Sequence, residues 1–350
     1  MTKKTRVAMI GCGFFAQNHL HAWRDLADEG AELVAVCDVD KSKAEAASKR
    51  FGAPAYSDVA AMTREVGPDL VDIATRMDTH RALCAHFADH GIAVIVQKPL
   101  APSWADCVAI ADKARESGQF LAVHENFRFQ RPMLDVAALL AAGAIGTPSW
   151  ARLSFRTGYD VYSNQPYFYD EERLAILDVG IHLLDLARVF LGDVETICCE
   201  TQRRNPKVKA EDTAAMLLRH RSGAVSIVEC TYEARRHPDP FPHTRVEIEG
   251  DRGSLLLASD DEILLSDDRT SRSVAVTNLL RPWMERPWHV VQASVYETNK
   301  STLRAFQTGA RAATHIGDNL KTYAVVEAAY RAASTRSVQR LDMVTGPVSM

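Results

Sequence analysis

Up to about residue 125, short apolar runs alternate with segments in which apolar residues recur at helical spacing. Ala16, Leu20 and Trp23 show that spacing, and Asp40 and Gly52 bracket a further segment as a helix-capping residue and a terminating glycine. The apolar runs, each of strand length, lie at residues 6–10, 32–37, 70–74, 92–97 and 120–123. Strands that alternate with helices predict a parallel sheet with helices on both faces.

After about residue 125 the pattern changes to one strand after another. Helices are predicted at 132–142, 176–190, 291–307 and 320–333, and strands at 150–157, 195–202, 213–219, 224–232, 245–249, 254–258 and 274–277. The predicted fold class is therefore α/β. A doubly wound, parallel Rossmann sheet is expected over residues 1–125, and an α/β domain with a large open, mostly antiparallel sheet over residues 126–350.

A glycine turn joins the first strand to the first helix. In VAMIGCGFFA, Gly11, Gly13 and Ala16 fit the G-x-G-x-x-G/A pattern, whose backbone lets a pyrophosphate approach the helix N-terminus. Asp38 ends the second strand, where its carboxylate would accept hydrogen bonds from ribose hydroxyls and repel a 2′-phosphate. This favours NAD over NADP. An ordinary strand–helix turn with a capping aspartate is the alternative. The candidate cofactor-binding residues here are Gly11, Gly13, Phe14, Phe15 and Asp38.

Composition excludes several other classes of protein. Charged residues make up 25% of the chain and the formal charge is −4, so neither nucleic acid nor an acidic membrane surface is indicated as a partner. The seven cysteines follow no repeated spacing and are expected to be reduced thiols of a cytoplasmic protein. No apolar run reaches transmembrane length. No metal site is expected, since His237 and His243 lie in a loop without a ligand set of carboxylates or cysteines.

A second candidate site lies in ILDVGIHLLDLARVF. Asp178 and His182 are four residues apart, so on an α-helix they share one face. A carboxylate beside an imidazole is the pairing that general-base chemistry needs, because the carboxylate orients the ring and stabilises its charged form. A buried histidine bonded to a capping aspartate would show the same pattern.

Several stretches, in this order, together resemble the Gfo/Idh/MocA family (glucose–fructose oxidoreductase and inositol dehydrogenase). They are MIGCGFFA, AVCDVD, DIATRMDTH, VIVQKPLA, ENFRFQRP, AAGAIGTPSWARLSF, LDVGIHLLDLARVFLG, VEIEGDRGSLLL and NLKTYAVVEAAYRAA. The resemblance covers nearly the whole chain. It implies a Rossmann domain, a second domain whose open sheet builds a homodimer or homotetramer, a pyridine nucleotide, and oxidation of a sugar or polyol carbon.

The resemblance also assigns residues. Lys98 matches the lysine of the family's Glu-Lys-Pro motif, and Asp178 and His182 match its aspartate and histidine, which implies that these three are catalytic. Thr75 and His80 match a loop that lines the cofactor. Two departures stand out: Gln97 replaces the common glutamate, and TRM replaces the common Thr-Pro-Asn after the fourth strand. Gln97, Lys98 and Gln165 are further candidate cofactor contacts.

The expected function is NAD-dependent oxidation of an aldose at its anomeric carbon to the lactone, with D-apiose as the expected substrate. The sugar comes from the likeness of GCGFFAQNHLHAW to bacterial sugar-catabolic members of the family. A myo-inositol or other polyol dehydrogenase is the alternative, and a non-catalytic NAD- and sugar-binding sensor is an alternative of another class. The candidate substrate contacts are Lys98, His124, Asn126, Arg156, Tyr162, Asp178 and His182.

Overall fold

The chain folds into two compact units. The computed structural model describes residues 4–342 of the 350-residue chain. The first unit runs through Asn126 and also contains Val295–Leu320, and the second contains Phe127–Ser294 and the chain from Lys321 onward. The sequence-based division near residue 125 assigned Val295–Leu320 to the second domain, because a helical pattern does not reveal which sheet the helix will pack against.

The first unit is built on a six-stranded parallel sheet in the order β3-β2-β1-β4-β5-β6, the doubly wound arrangement that the sequence predicts. Its strands are β1 (Thr5–Ile10), β2 (Ala31–Cys37), β3 (Ala55–Tyr56), β4 (Leu70–Ile73), β5 (Ala93–Gln97) and β6 (Leu121–His124). Its helices before residue 126 are α1 (Ala16–Asp25), α2 (Lys41–Phe51), α3 (Val59–Val66), α4 (His80–Asp89) and α5 (Trp104–Ser117), with 3₁₀ turns at Ala27–Glu29 and Met77–Thr79.

The ends of these helices follow the sequence signals. Asp40 caps α2 by accepting a hydrogen bond from the Ser42 amide at 3.0 Å, and the helix stops at Gly52 with φ 79°, as predicted. Ser103 caps α5 in the same way through the amide of Asp106. Each cap fixes where a helix starts, so the loops at the carboxyl ends of the strands are held in place.

The second unit contains a nine-stranded sheet in the order β14-β13-β12-β11-β7-β10-β9-β8-β15. Its pairs are antiparallel except β7 with β10, so the predicted α/β fold with a mostly antiparallel second sheet is confirmed. The strands are β7 (Pro148–Arg156), β8 (Val194–Gln202), β9 (Thr213–His220), β10 (Val225–Thr231), β11 (Arg245–Gly250), β12 (Gly253–Ser259), β13 (Glu262–Ser266), β14 (Ser271–Ala275) and β15 (Gln339–Arg340). Helices α6 (Arg131–Ala141) and α7 (Ile181–Leu191) belong to this unit, with 3₁₀ turns at Phe127–Phe129 and Pro166–Tyr169 and a π-helical turn at Ile176–Gly180.

One strand of this unit was not predicted, and one helix, predicted at the right place, differs in pitch over its first turn. Strand β13 was missed, because its apolar core of three residues is flanked by acidic residues and reads as part of a loop. The helix predicted at 176–190 begins as a π-helical turn and becomes α-helical only at Ile181. Apolar periodicity does not distinguish one helical pitch from the other over five residues.

Two long helices follow, α8 (His289–Thr308) and α9 (Ile316–Thr335). From Val295 onward, α8 packs in the first unit, where Lys300 and Arg304 both bond Glu29 and hold the pKa of that carboxyl below its usual value. Within residues 4–342, no helix has the length and apolar character needed to cross a lipid bilayer.

Candidate active site

The turn between β1 and α1 leaves room for a ligand next to the backbone. Gly11 has φ +94°, and a Cβ there would lie 2.5 Å from the Ala74 carbonyl oxygen, so only glycine fits. A Cβ on Gly13 would meet no described atom within 4 Å. Ala16 packs with Met9 and Leu20 in the core. The turn therefore has the tight bend, the open approach and the close helix packing that a dinucleotide pyrophosphate requires.

Asp38 follows β2 and braces this turn. Its Oδ2 accepts a hydrogen bond from the Cys12 amide at 2.7 Å, and its Oδ1 accepts one from the Asp40 amide at 2.9 Å. Each oxygen keeps lone-pair capacity for a ribose hydroxyl. Phe14 is 55% exposed at the turn, while the Phe15 ring packs edge-on against His19. These residues fit a bound NAD.

His80 ties together the loops that follow β4 and β5. Its ring nitrogens lie 3.0 Å from the Leu100 carbonyl oxygen and 3.3 Å from that of Thr75. The side chain is 1% exposed, and burial lowers the pKa of His80. His80 therefore supports these two loops, and the cofactor contact predicted for it stays a prediction. Thr75 remains at the rim, where its hydroxyl bonds that of Thr79 at 2.7 Å.

Strand β5 ends in Gln97, and Lys98 follows directly at the carboxyl edge of the sheet. Gln97 is 9% exposed, and among the described residues no group donates to its Oε1. Lys98 is half-buried and precedes a cis peptide bond to Pro99. Ligands of doubly wound sheets bind at this edge, so Lys98 and Thr75 both lie where such a ligand would be.

His124 and Asn126 are buried at the end of β6, and the substrate contacts predicted for them stay predictions. His124 has no exposed surface, and its Nε2 lies 3.0 Å from Oδ1 of Asn299. Asn126 is 1% exposed. The end of β6 is covered by the returning α8, which a local reading of HENF cannot reveal.

A buried polar network lies beside His124. The His19 ring is 4.2 Å from the His124 ring, and its Nδ1 is 2.8 Å from Oδ2 of Asp72, which also accepts the Trp23 indole N–H at 2.7 Å. Burial lowers the pKa of His124 to about 3. Burial raises the pKa of Asp72, but His19, His124 and the Trp23 N–H together outweigh it and hold the value below the usual one. The network thus contains a carboxylate and at least one neutral imidazole.

In the second unit, Asp178 lies in the π-helical turn. Glu211 holds the start of that turn by accepting hydrogen bonds from the amides of Leu174 and Ile176 at 3.2 and 3.0 Å, and Tyr330 donates to the same carboxylate at 2.6 Å. Burial raises the pKa of Glu211. Residues in π turns are often functional, since the extra residue redirects a side chain.

The hydroxyl of Tyr232 donates a hydrogen bond to Oδ2 of Asp178. Tyr232 follows β10 directly and is 5% exposed. Burial, reinforced by Asp178, raises the pKa of Tyr232 well above its usual value, so the hydroxyl keeps its proton. The sequence predicts His182 as the partner of Asp178, which stays a prediction, and it does not predict the contact with Tyr232.

His182 lies in the first turn of α7 and is 3% exposed. Its ring stacks on Phe127, with centroids 3.8 Å apart and planes 2° from parallel. Phe127 packs in turn on Phe155 of β7. One face of the imidazole is thereby covered, which fixes the plane of the ring.

Arg156, the residue after Phe155, ends strand β7. Neighbouring side chains on a strand point to opposite faces, so Arg156 lies on the face away from Phe155 and His182. There its Nη1 is 3.4 Å from Glu229, which also pairs with Arg152 at 2.6 Å. Arg156 is thus part of an ion-pair row on the sheet, and the substrate contact predicted for it stays a prediction.

A cavity of about 260 Å³ opens beside Tyr232. It is lined by Gly158, Tyr159, Asp160, Tyr162, Asn205, Tyr232, Glu233, Ala234 and Arg235. The structure thus brings the predicted Tyr162 to a pocket whose wall touches Asp178. Gln165 lies further along the same loop, where it accepts a hydrogen bond from Tyr167 at 2.6 Å.

Sequence reasoning missed Tyr232, Glu233 and Asn205. The available signal was positional: Tyr232 and Glu233 come directly after a buried strand, where side chains reach the edge of a sheet. Asn205 lies in the loop between β8 and β9, whose path no local pattern gives.

Comparison with known proteins matches both units. Residues 5–125 match the model of an oxidoreductase family with an NAD-binding Rossmann fold, and residues 133–256 match the GFO/IDH/MocA C-terminal domain. The D-apiose dehydrogenase of Rhizobium rhizogenes is 43% identical over 93% of this chain and 94% of its own length. That of Paraburkholderia graminis is 42% identical over 95% of this chain and 88% of its own length.

Solved structures agree in fold. A crystal structure of an oxidoreductase from Agrobacterium radiobacter in complex with NAD⁺, L-tartaric acid and magnesium is 41% identical and superimposes with a TM-score of 0.95, covering 97% of this chain and 99% of that one. Levoglucosan dehydrogenase in complex with NADH has a TM-score of 0.85 at 20% identity, over 97% of this chain and 99% of that one, which is a likeness of fold.

Proposed function

The chain belongs to the Gfo/Idh/MocA family of oxidoreductases, and from this premise we propose that it is a sugar dehydrogenase that uses NAD. The proposed substrate is D-apiose, oxidised at its anomeric carbon to the lactone, because two relatives at 42–43% identity are D-apiose dehydrogenases. The observation that carries the enzymatic proposal is the ordered acid–base set of the second unit: a carboxylate held by Tyr232 and an imidazole fixed on Phe127.

We propose that Lys98, Asp178 and His182 act on one hydroxyl of the substrate. His182 removes the hydroxyl proton as the C–H bond breaks, and Asp178 stabilises the imidazolium that forms. Lys98 donates a hydrogen bond to the same oxygen and stabilises the negative charge that develops on it. A bound NAD would supply the hydride acceptor for that carbon. Gly11, Gly13, Asp38 and Thr75 are the residues proposed to hold it.

The test is NADH formation across a panel of D-apiose, other branched pentoses, aldoses, polyols and inositols. We expect the highest kcat/KM with D-apiose. Faster turnover of myo-inositol would replace the substrate with a polyol. Tight NAD binding with no NADH from any member of the panel would favour the sensor.

Replacement of His182 tests the base. His182→Ala should lower kcat by roughly 10²–10⁴-fold, because a positioned general base contributes about that much, while the Kd for NAD stays unchanged. His90→Ala, on an exposed ring of the first unit, is the matched control and should keep full activity. Wild-type turnover by His182→Ala would contradict the general-base role and would mean that His182 serves only in packing.

We also propose a cytoplasmic homo-oligomer that forms through the open face of the nine-stranded sheet. All seven cysteines are free thiols, which is typical of a reducing compartment. The strand pairings place one residue from each of six neighbouring strands in a row across the open face of the sheet. The residues toward both ends of this row are apolar. From one end to the other the row is Leu264, Leu256, Glu247, Arg152, Ile227 and Leu217. Leu217 is 50% exposed, which suits a face that a second copy covers.

A further inference from the structure

We propose that the cavity beside Tyr232 binds the hydroxyl groups of a neutral, pentose-sized sugar, and that Glu233 determines its specificity. The inference rests on the proposed function, since it concerns the part of the same substrate that does not react. It assigns a ligand class to side chains that sequence reasoning missed.

The position of the cavity connects it to the candidate catalytic carboxylate. Tyr232 lines the cavity, and its hydroxyl contacts Asp178. Glu233 is the next residue along the chain and lines the same space. A molecule in this cavity is therefore separated from Asp178 by a single side chain.

Glu233 has a carboxylate oxygen to offer. Its Oε1 accepts a hydrogen bond from Tyr162 at 3.2 Å, and its amide donates to the Thr231 hydroxyl at 3.0 Å. Among residues 4–342, no donor is bonded to Oε2. Asn205 lines the same cavity as Tyr162 and brings an amide side chain to it. Ligand hydroxyls can therefore donate to Oε2 without displacing a protein hydrogen bond.

Arg235 supplies the complementary donor. In the described part of the chain its guanidinium bonds no acceptor. A sugar hydroxyl is donor and acceptor at once, so adjacent hydroxyls can satisfy both Glu233 and Arg235. The second carboxylate, Asp160, is already engaged by the amides of Tyr162 and Ser163 at 3.1 Å each. An anionic ligand would face the charge of Glu233, which favours a neutral one.

The walls are aromatic and held in place. Tyr159 stacks on Phe241 with centroids 4.1 Å apart, and Tyr162 stacks on Tyr169 at 4.9 Å. Such faces pack against the C–H surface of a sugar ring. The volume of about 260 Å³ is just below the range of about 300–1,000 Å³ that drug-sized ligands occupy, so the space suits a small monosaccharide.

The test is Glu233→Gln, which keeps the size of the side chain and an acceptor for Tyr162 but removes the charge. A hydrogen bond to a charged group contributes about 1.5–3 kcal/mol, so the Kd for D-apiose, measured by calorimetry on the NADH-saturated protein, should rise roughly tenfold to a hundredfold. The Kd for L-tartaric acid should fall, because a repelling charge is gone. Glu200→Gln, on an exposed strand position, is the matched control and should change neither value.

The outcomes separate the inference from the proposed function. Unchanged D-apiose affinity in Glu233→Gln, equal weakening of the sugar and the acid, or failure of the wild-type protein to bind D-apiose would overturn the inference. Selective weakening of the sugar supports it, even if the NADH panel shows no turnover and the proposed function fails. Turnover of D-apiose with an unaltered KM in Glu233→Gln would uphold the function and overturn the inference.

Discussion

At the scale of single residues, the contact between Tyr232 and Asp178 is open to a direct test. A hydrogen bond to a carboxylate favours its ionised form, so Tyr232→Phe should move the acid limb of the kcat/KM profile to higher pH. It should also lower kcat roughly tenfold to a hundredfold, because a half-buried carboxylate loses a donor worth about 1–3 kcal/mol.

The profile of kcat/KM against pH is the measurement, with Tyr56→Phe as control, since Tyr56 lies in β3 of the first unit. A lower kcat with an unmoved acid limb would mean that Tyr232 acts through packing alone.

His124 should make the protein less stable in mild acid. Its pKa is about 3 when folded against an ordinary value of 6.5, so between these values the unfolded chain binds a proton that the folded chain does not. The free energy of unfolding should therefore fall as the pH drops below about 6.5, by up to about 1.4 kcal/mol per pH unit for this group. The lowered pKa of Asp72 acts only below about pH 4 and leaves this window unaffected.

Urea midpoints between pH 7 and pH 4.5 measure the slope. Histidines with the same direction of shift, such as His21 with a pKa of about 4, contribute as well. His124→Gln should therefore reduce the slope of the free energy of unfolding against pH by the contribution of one histidine. The exposed His90→Gln should leave this slope unchanged. An unchanged slope in His124→Gln would contradict the buried neutral ring.

Sequence reasoning at this scale found residues whose role follows from a motif and missed those whose role follows from packing. Gly11, Asp38 and Lys98 stand at the strand ends where the pattern puts them. The burial of His124 was not predictable, because α8, far along the chain, covers it. Tyr232 was passed over because nothing in the local pattern predicts that it reaches Asp178.

At the scale of elements, the turn between β1 and α1 contains one glycine that the fold requires, Gly11, and one that cofactor binding is expected to require, Gly13. Gly11→Ala should destabilise the protein by more than about 1 kcal/mol, since a left-handed φ and a Cβ 2.5 Å from the Ala74 oxygen both oppose the substitution. Gly13→Ala meets no such obstacle. It should leave the melting temperature of the ligand-free protein unchanged and raise the Kd for NAD at least tenfold, because a methyl group fills the approach to the turn.

Thermal melts with and without NAD, together with titration calorimetry, distinguish the two variants. If Gly13→Ala bound NAD with wild-type affinity, the proposal that the cofactor phosphates bind at this turn would be wrong.

Element boundaries were predictable where capping residues define them, as with Asp40 and Gly52 around α2. They were not predictable where tertiary partners set the geometry. The π-helical turn at Asp178 is held by Glu211, a residue from a distant loop, and the apolar pattern of the segment is the same for either pitch.

At the scale of the whole molecule, the open face of the nine-stranded sheet predicts the assembly state. Leu217→Lys places a charge in the outward row and should shift the protein from oligomer to monomer, because burying an unpaired ammonium is costly. Light scattering after gel filtration measures the mass. Leu280→Lys, a loop residue 56% exposed and away from the strands, is the control. An oligomer that persists unchanged in Leu217→Lys would move the interface elsewhere.

The return of Val295–Leu320 to the first unit has a consequence for how the protein is made. N-terminal domains usually fold first as a chain leaves the ribosome. Here the Val123 amide donates its hydrogen bond to the Thr314 carbonyl, and His124 bonds Asn299. Both partners are synthesised after most of the second unit, so the nucleotide-binding unit stays incomplete while the second unit is being translated. A premature stop just after Ser294 would therefore damage a region that was synthesised in full, and a nascent-chain chaperone would meet the unfinished end of β6 throughout that interval.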